Sequence, residues 1–410
     1  MARTEESNLI VGLDIGTSKV VAVVGEAGPD GAIQVVGAGS HPARGLKKGV
    51  VVNIESTIQS IQRAVNLAEQ MAGCRIHSVY TGISGSHIRG FNSHGVTAIK
   101  HREVTPEDVA RVIEAARVVA IPADQKILHI LPQDFVIDGQ EGIQDPVGMA
   151  GVRLEARVYL VACAVSAEQN IVKCVRGCGL EVDDVILQPL ASSRAVLTQD
   201  EKDLGVCLLD IGGGTTDLAV FTHGAISHTE VIPIAGNQVT NDIAVAFHAP
   251  TPAAEELKIK YACCLKQLTY AGERIEVAGV GDRAARALSR LELAEVVEPR
   301  YEELFEVALQ KLQHSGFEHL IPAGVVLTGG SSQITGVIEL AEDVLHLPVR
   351  RGLGRDVTGP SEVLDNPSYA TAIGLLLFGI ENRPGRPGVG SRVGHKGWWT
   401  RLRGWFQGNF

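Results

Sequence analysis

Two short segments of the chain combine an aspartate with a turn of small residues, a pattern suited to binding phosphate. Asn8 to Val24 reads NLIVGLDIGTSKVVAVV, and Gly205 to Phe221 reads GVCLLDIGGGTTDLAVF. A turn of this kind between two strands points several backbone N–H groups at one place, where they can bind phosphate oxygens. Asp14 and Asp210 occupy matching positions, and we expect them to hold a magnesium ion through water molecules. Lys19 adds a positive charge for phosphate.

A third segment has the composition of a nucleoside-binding turn. Val325 to Val337 reads VVLTGGSSQITGV, which predicts a buried strand, a Gly-Gly-Ser-Ser turn and the start of a helix. Paired glycines let a flat base or a ribose approach the backbone, and a helix N-terminus favours anions. Each of the three segments alone could be an ordinary turn, but together they predict a nucleotide site.

The surroundings of the two aspartate segments also repeat, which predicts a fold with two related halves. The aspartates lie 196 residues apart. After each hairpin comes another predicted strand, at 34–40 in the first half and 225–234 in the second, and helices follow. Asn53 is a predicted helix N-cap, and Gly73 a predicted helix end. This mixture of strands and helices predicts an α/β fold with two lobes around a cleft.

The spacing of these elements divides the chain into units. The predicted units are a first lobe (1–83 and 163–195), its inserted subdomain (84–162), a second lobe (196–225 and 310–380), its insertion (226–309), a linker (381–395) and a terminal helix (396–410). The linker is predicted from its four glycines and two prolines and its lack of apolar periodicity.

Several local signals predict where individual helices begin or break. Thr105 precedes Pro-Glu-Asp and is expected to cap a helix in the inserted subdomain. Ser166 and Gln169 have the spacing of a capping box. Pro299 lies inside an apparent long helix from Leu291 to Gln313, so that helix is expected to be kinked or restarted there.

The C-terminal end differs from the rest of the chain in its aromatic content. All three tryptophans and two of the nine phenylalanines fall within the last thirteen residues. On a helix the apolar residues share one face; they are Trp398, Trp399, Leu402, Trp405, Phe406 and Phe410. The cations Lys396 and Arg403 lie elsewhere on it. Fifteen residues make about 22 Å of helix, too short to span a bilayer but suited to the headgroup interface. We therefore predict binding to anionic membrane lipids.

Charge and composition narrow the classes of function. The net charge is −10; residues 381–410 carry six Lys/Arg and one Glu, so the preceding residues are strongly acidic. An acidic body argues against nucleic-acid binding, whereas the basic tail suits an acidic surface. No run of about 18 apolar residues occurs, and MARTEESN lacks the apolar region of a signal peptide. We expect a cytosolic protein with reduced cysteines.

Taken in order, LDIGTSK, LLDIGGGTTDLAVF and VVLTGGSSQITG resemble the phosphate-1, phosphate-2 and adenosine motifs of the actin-like superfamily. Further segments, HILPQDFVIDGQEGIQDPVGMAGVRLEA, LAEVVEPRYEEL and the Trp-rich C-terminus, resemble the FtsA family of bacterial cell division proteins over nearly the whole chain. The resemblance implies an actin-like ATPase fold with an FtsA-type subdomain inserted in the first lobe. It also implies that the cofactors are ATP and Mg²⁺.

The resemblance carries over to individual residues. In the first phosphate loop these are Asp14, Gly16, Thr17, Ser18 and Lys19. In the second they are Asp210, Gly212, Gly213, Gly214, Thr215, Thr216 and Asp217. The adenosine motif contributes Gly329, Gly330 and Ser331. Gly236 and Asn237 begin a helix that closes on phosphate or ribose in this superfamily. Glu256 and Lys260 are candidates for ribose and base contacts, or form an ordinary surface ion pair.

Hydrolysis depends on a residue that precedes the second phosphate hairpin. Many ATPases of the superfamily place a Gln or Glu there, which orients the attacking water, and Gln188 in ILQPLASS matches that place. It could also be a plain helix-start residue. Because a neutral Gln holds a water but is a poor base, the resemblance implies at most slow ATPase activity in a primarily structural protein.

The resemblance also implies partners and a location. LAEVVEPRYEEL resembles the family's docking site for the C-terminal peptide of FtsZ, where Arg300 and Glu303 match residues implicated in binding; without the resemblance these charges indicate a solvated helix face. Self-assembly into actin-like filaments and binding of later division proteins by the inserted subdomain are further implied. The location would be peripheral, on the cytoplasmic face of the inner membrane at the division septum.

Two other functions are compatible with the phosphate motifs. One is a sugar-kinase-like phosphotransferase, and the other is a pilus-assembly actin-like protein of the same superfamily. A sugar kinase has no use for a Trp-rich tail, and a pilus-assembly relative would normally lack one. The tail therefore favours the function that the FtsA resemblance implies: an ATP-binding, filament-forming adaptor that tethers the FtsZ ring to the cytoplasmic membrane and helps to recruit later division proteins.

Overall fold

A computed structural model describes residues 9–28, 32–277 and 286–382. Its strands are β1 (Leu9–Ile15), β2 (Lys19–Ala27), β3 (Ile33–Pro42), β4 (Leu46–Lys47), β5 (Val50–Val51), β6 (Ser78–Ile83), β7 (Arg89–Ala98), β8 (Gln125–Ile137), β9 (Gln140–Ile143), β10 (Arg153–Ala164), β11 (Glu181–Leu187), β12 (Val206–Ile211), β13 (Thr216–Thr222), β14 (Ala225–Ile232), β15 (Arg274–Val277), β16 (Arg286–Ser289), β17 (Val325–Thr328) and β18 (Val349–Arg351). Its α-helices are α1 (Ile54–Ala72), α2 (Pro106–Arg117), α3 (Val165–Gly177), α4 (Gln188–Val196), α5 (Gln199–Leu204), α6 (Gly236–Phe247), α7 (Thr251–Tyr261), α8 (Arg290–Ser315), α9 (Val337–Leu345), α10 (Ser361–Leu364) and α11 (Ala370–Glu381).

Two five-stranded sheets share one topology. Their strand orders are β11-β6-β1-β2-β3 and β14-β13-β12-β17-β18. In each sheet an antiparallel three-stranded meander is extended by parallel strands, since β1 pairs antiparallel with β2 and parallel with β6, and β12 does the same with β13 and β17. The predicted repeat of two related α/β lobes is confirmed.

The strands that carry the two aspartates lie in the interior of these sheets and are largely buried. Every residue of β12 is buried. A central strand with neighbours on both edges and helices over its faces loses water on all sides, which explains its continuous apolar run. The polar exception, Asp210, lies at the end of the strand, where the chain turns towards β13. The apolar strands therefore hold the turns at their ends in fixed positions.

The inserted subdomain is a four-stranded antiparallel sheet in the order β7-β10-β8-β9, with α2 packed on one face. Thr105 caps α2 as predicted: its side chain accepts from the backbone N–H of Asp108, and the Asp108 carboxylate accepts from the backbone N–H of Thr105. The subdomain has its own apolar core, which includes the buried Phe135 and Leu154. It is therefore a separately packed layer attached to the first lobe.

Helix ends agree with the sequence signals at some positions and differ at others. Asn53 caps α1 and Gly73 ends it in the left-handed conformation, as predicted. The predicted capping box of Ser166 and Gln169 is wrong. Because β10 runs directly into α3, Ala164 is the N-cap and makes no side-chain cap bond, and Ser166 lies inside the helix.

Helix α8 runs without interruption from Arg290 to Ser315. The expectation that the helix restarts at Pro299 is therefore wrong. The pyrrolidine ring is exposed, so the proline occupies the solvent side of the helix while the apolar residues on the other side pack continuously.

The last described helix belongs by its contacts to the first lobe, not to the second-lobe range 310–380 that contains most of it. Helix α11 packs against β1, β2, β6 and α4. Its approach to β1 is so close that a Cβ on Gly12 would lie 2.1 Å from the carbonyl oxygen of Ala372. The sequence of an apolar helix does not indicate which sheet the helix will cover. The division of the chain predicted from sequence therefore places α11 in the wrong lobe.

The insertion of the second lobe also begins later in the chain than predicted. The predicted range 226–309 includes β14, but β14 pairs with β13 as the third strand of the second-lobe sheet. The insertion therefore begins after Ile232. The rest of the division stays a prediction.

The linker and terminal helix predicted from residues 381–410 lie outside the described residues, apart from the end of α11 and Asn382. Among the helices that the structure describes, none is both long enough and apolar enough to cross a bilayer.

Candidate nucleotide site

The turns of the two aspartate hairpins meet at one cavity of about 380 Å³. Most of the sequence-predicted residues line it: Asp14, Gly16, Thr17, Ser18, Lys19, Gln188, Asp210, Gly212, Gly213, Gly214, Thr215, Asp217, Lys260, Gly329, Gly330 and Ser331. Predicted residues up to 317 positions apart in the chain, Asp14 and Ser331, thus converge on one cavity. Its size suits a small molecule.

The two hairpin turns have the same backbone geometry. In the first, the N–H of Gly16 donates to the carbonyl of Lys19 at 3.0 Å, and in the second, the N–H of Gly212 donates to that of Thr215 at 3.0 Å. The turns also press against each other, since a Cβ on Gly213 would lie 1.8 Å from Ser18 Oγ. Glycine is therefore required at 213 for the two loops to close on one site.

The third segment joins the second hairpin through direct hydrogen bonds. Ser331 Oγ donates to the carbonyl of Gly212 at 2.8 Å. Gly329 has φ +84°, and a Cβ there would lie 2.4 Å from Asp210 Oδ1. The helix predicted to start in this turn begins later: Gly330–Gln333 forms a 3₁₀ turn, and α9 starts at Val337. The turn itself, rather than a helix N-terminus, faces the cavity.

Gly236 and Asn237 open α6 as predicted and lie just behind the cavity wall. Their N–H groups donate to the carbonyls of Gly212 and Gly213, at 3.1 and 2.7 Å. Asn237 Oδ1 accepts from Ser18 Oγ at 3.0 Å, a bond from the first lobe to the second. The first turn of α6 therefore ties the two phosphate-type loops together.

Besides Gly236 and Asn237, two further predicted residues are not part of the cavity lining. Thr216 is fully buried behind it, and its Oγ1 donates to the carbonyl of Ile234 at 2.7 Å. Glu256 is exposed and forms an ion pair with Lys260 one helical turn away. Only Lys260 of that pair reaches the cavity rim.

The sequence analysis did not identify two charged lining residues on α7, Glu255 and Lys258. The buried Lys258 Nζ donates to the carbonyl of Gly236 at 3.0 Å, to Thr240 Oγ1 at 2.9 Å and to Glu255 Oε2 at 2.7 Å. It thereby fixes the start of α6. The signal that could have found it is the helix face, because Lys258 shares its side of α7 with the buried Ala254 and Leu257.

The cavity floor holds three carboxylates. Burial, with repulsion from Asp210, raises the pKa of Asp14 to about 7; Lys19 and the bond from Gln188 Nε2 to Asp14 Oδ1 at 2.8 Å oppose that rise. Burial likewise raises the pKa of Asp217 to about 7 and also raises that of Asp210. Burial lowers the pKa of Lys19, whose Nζ lies 5.3 Å from the centre of the Tyr369 ring. Each of these side chains is thus destabilised in its charged form.

Such a floor fits a hydrated divalent cation. Oxygen donors from carboxylates are what Mg²⁺ prefers, and the clustered negative charge that raises these pKa values would be offset by it. Within the described ranges no group of three or more His, Cys, Asp or Glu side chains is arranged to ligate a metal directly. A Mg²⁺ ion here would therefore depend on water and on phosphate oxygens for most of its ligands.

The predicted partner residues lie away from the cavity lining, on α8. Arg300 Nε and Nη2 donate to the two carboxylate oxygens of Asp242, at 2.6 and 3.1 Å, and Arg300 also forms an ion pair with Glu303. These charges bridge α8 to α6. The predicted membrane residues from Lys396 to Phe410 lie outside the described residues.

Comparison with known proteins identifies the family. Residues 207–374 match the family described as "Cell division protein FtsA", and residues 85–162 match "SHS2 domain inserted in FTSA". A protein named "Cell division protein FtsA" from Pseudomonas aeruginosa is 60% identical over 419 aligned residues, which cover 100% of both chains. This chain belongs to the FtsA family. It is therefore a member of a family of cell division proteins.

Solved structures agree with the fold. The chain is similar to a structure titled "PilM-PilN type IV pilus biogenesis complex", with a TM-score of 0.66, 21% identity and coverage of 90% of this chain and 98% of that one. It is also similar to MreB 5 of Spiroplasma citri bound to AMPPNP, with a TM-score of 0.55, 14% identity and coverage of 91% and 96%. The chain has an actin-like ATPase fold, as predicted, and that fold family binds nucleotides.

The raised pKa of Asp217 predicts a pH-dependent stability of the nucleotide-free protein. As pH rises from about 4, the carboxyl ionises first in the unfolded chain, because its pKa there stays near the ordinary value of 3.8, whereas the folded value is about 7. Ionisation of Asp217 therefore lowers the free energy of unfolding progressively up to about pH 7. A further rise in pH lowers it no more, because the carboxyl is then ionised in both states. Asp217→Asn has no carboxyl to ionise at this position. The free energy of unfolding of this variant, relative to that of the parent, should therefore increase from pH 4 to pH 7, by up to about 4 kcal/mol.

The measurement is the thermal unfolding temperature between pH 4 and pH 8, in a chelator and without nucleotide. Asp183→Asn, which removes an exposed carboxylate of the first lobe, serves as the control and should parallel the parent. Parallel curves for Asp217→Asn and the parent would contradict the assignment of a raised pKa.

Proposed function

We propose that this chain is an ATP-binding, filament-forming adaptor that tethers the FtsZ ring to the cytoplasmic membrane and helps to recruit later division proteins. The observation that carries the proposal is the cavity itself, where two matched phosphate-type turns and the Gly329–Ser331 turn converge in a chain of the FtsA family. The location that follows is peripheral, on the inner face of the membrane at the division septum.

ATP with Mg²⁺ suits the cavity on chemical grounds. The remaining backbone N–H groups of the two turns would donate to phosphate oxygens, and Lys19 would supply the positive charge. Asp14 and Asp210 would hold the hydrated ion, whose role when bound is to offset the charge of the phosphates. Gly329 and Gly330 leave the cavity wall open to a base or ribose, and Lys260 lies at its rim.

Gln188 is the residue placed to orient a water. Its Nε2 is engaged by Asp14, so the amide oxygen is the atom left to accept from a water in the cavity. An amide cannot take the proton from that water, which supports slow turnover and a protein whose nucleotide mainly controls assembly.

The terminal segment supplies the membrane contact in this proposal. Trp398, Trp399 and Trp405 form the lipid-facing stripe, and Lys396 and Arg403 add about 1 kcal/mol each near anionic lipid. One short helix of this kind binds reversibly. Self-assembly through the actin-like lobes would array many such helices on one filament, which raises avidity without any new contact.

Family membership supports the adaptor over the two alternative functions. A relative that covers the whole chain at 60% identity is named a cell division protein, whereas the pilus-assembly structure is similar in fold at 21% identity. The inserted subdomain, which matches the FtsA-type SHS2 domain, is the surface we propose for later division proteins.

Gln188→Ala should lower ATP turnover by about tenfold or more, because the water loses its acceptor and Asp14 loses a donor. The measurement is steady-state phosphate release, with nucleotide affinity determined in parallel. Gln70→Ala, at an exposed position on α1, is the matched control and should turn over ATP like the parent. Unchanged turnover in Gln188→Ala at equal affinity would end the catalytic assignment.

Trp405→Glu should abolish most flotation of the protein with vesicles that contain anionic lipid, because it places a carboxylate in the lipid-facing stripe. Gln407→Glu adds the same charge away from the stripe and should lose far less flotation than Trp405→Glu. Equal flotation of Trp405→Glu and the parent would exclude membrane binding by this segment.

Arg300→Glu should reduce affinity for a peptide with the FtsZ C-terminal sequence by about tenfold or more, since it reverses a charge that two acids hold in place. Fluorescence anisotropy measures the affinity, and a melting curve checks folding. Lys311→Glu, which removes another ion pair from α8, is the control. Full affinity in Arg300→Glu would refute docking at this helix.

A further inference from the structure

The inserted subdomain joins the first lobe at a residue that also contacts the second lobe. Strand β6 ends at Ile83, and Ser84 follows it at the start of the inserted subdomain. Ser84 is only 2% exposed, and its Oγ donates to Asp217 Oδ1 across 133 positions of the chain. Asp217 is one of the three carboxylates of the cavity floor. The junction is thus bonded directly to the nucleotide site.

The same junction also rests against the first phosphate-type turn. A Cβ on Gly49 would lie 2.8 Å from the carbonyl oxygen of Ser84, so the two backbones are in close contact. The N–H of Gly49 donates to Thr17 Oγ1 at 3.0 Å. Thr17 and Gly49 both line the cavity. The start of the inserted subdomain therefore touches both halves of the site.

A second set of bonds joins the body of the inserted subdomain to the second lobe. Tyr159 on β10 is 1% exposed; its hydroxyl oxygen accepts from the N–H of Thr229 at 2.7 Å and lies 2.9 Å from Thr229 Oγ1. On β8, Gln133 Nε2 donates to the carbonyl of Ile226 at 3.2 Å. Both partners lie on β14, next to β13, and Asp217 itself pairs with Val231 of β14. The two sets of bonds thus converge on adjacent strands.

We propose that Ser84 is a positioning residue through which the inserted subdomain and the nucleotide cavity control each other. Ser84 orients the Asp217 carboxylate, while Tyr159 holds the inserted subdomain on the strand beside it. Ser84 and Asp217 belong to different lobes. Any rotation of the lobes around bound nucleotide therefore changes this bond and, at the same time, the contacts of the inserted subdomain with β14. The inference rests on the proposed nucleotide binding and adds a route by which it reaches the recruitment surface.

The test is hydrogen exchange measured by mass spectrometry on the full chain, with and without Mg²⁺-ATP, at concentrations where a fluorescent ATP analogue shows saturation. In the parent, ATP should change amide exchange both in the phosphate-type turns and in β7, β10 and β14, by about tenfold for the most affected amides. Ser84→Ala should keep the change in the turns and lose it in the inserted subdomain. Ser84→Thr, which keeps a hydroxyl, should restore it.

Two further variants separate coupling from simple destabilisation. Ser86→Ala lies in the same loop at an exposed position and should behave like the parent. Tyr159→Phe removes the second bond and keeps the buried ring, so it should uncouple the inserted subdomain even if Ser84→Ala does not fold. A parent that binds ATP without any change in β7 or β10, or a folded Ser84→Ala or Tyr159→Phe that keeps the full change, would overturn the inference. Failure of the parent to bind ATP would instead overturn the proposed function beneath it.

Discussion

Three carboxylates lie together at the floor of one cavity, which the side chain of Lys19 also lines. Asp210 and Asp217 are buried and Asp14 is half-buried. Burial penalises every one of these charges, and the carboxylates also repel each other. Such a cluster persists only if the surrounding structure supplies hydrogen bonds or a bound cation. The positions of several distant elements can be understood from that requirement.

Each carboxylate receives its bond from a different part of the chain. Asp14 accepts from Gln188 at the start of α4, Asp210 from Thr371 Oγ1 on α11 at 3.2 Å, and Asp217 from Ser84 at the junction of the inserted subdomain. The start of α4, helix α11 and the junction of the inserted subdomain therefore all contribute to the electrostatics of the site. A shift of any of these elements removes a hydrogen bond from a carboxylate of the cavity floor.

Close backbone contact is the second requirement, and glycine meets it. The turns can meet only because Gly213 has no side chain to collide with Ser18, and α11 can cover β1 only because Gly12 admits the backbone of Ala372. Since the site lies between elements drawn together this tightly, its shape depends on packing throughout both lobes.

The sequence predicted those features that have local causes. An aspartate, a small-residue turn and flanking β-rich runs indicate each hairpin by themselves, and the repetition of the pattern indicates two lobes. The resemblance points to Glu256, whereas its neighbour Glu255 lines the cavity. Neighbouring residues point about 100° apart on a helix, so a match that is off by one residue selects an exposed side chain. Ser84 carries no pattern at all; its role depends on a partner 133 positions away, which only the folded chain brings near.

The actin-like fold alone does not determine what a chain does, since a type IV pilus biogenesis complex and MreB 5 share this fold with the present chain. Residues 85–162 of this chain match the subdomain inserted in FtsA proteins, and the point of its attachment has physical consequences. An insertion at a distant surface loop would leave the site unaffected by its partners. Here the insertion begins at a residue bonded to the cavity floor and lies against the strand next to it, so a partner that moves the subdomain must act on a buried carboxylate. By linkage, whatever occupies the cavity acts on the subdomain with the same free energy.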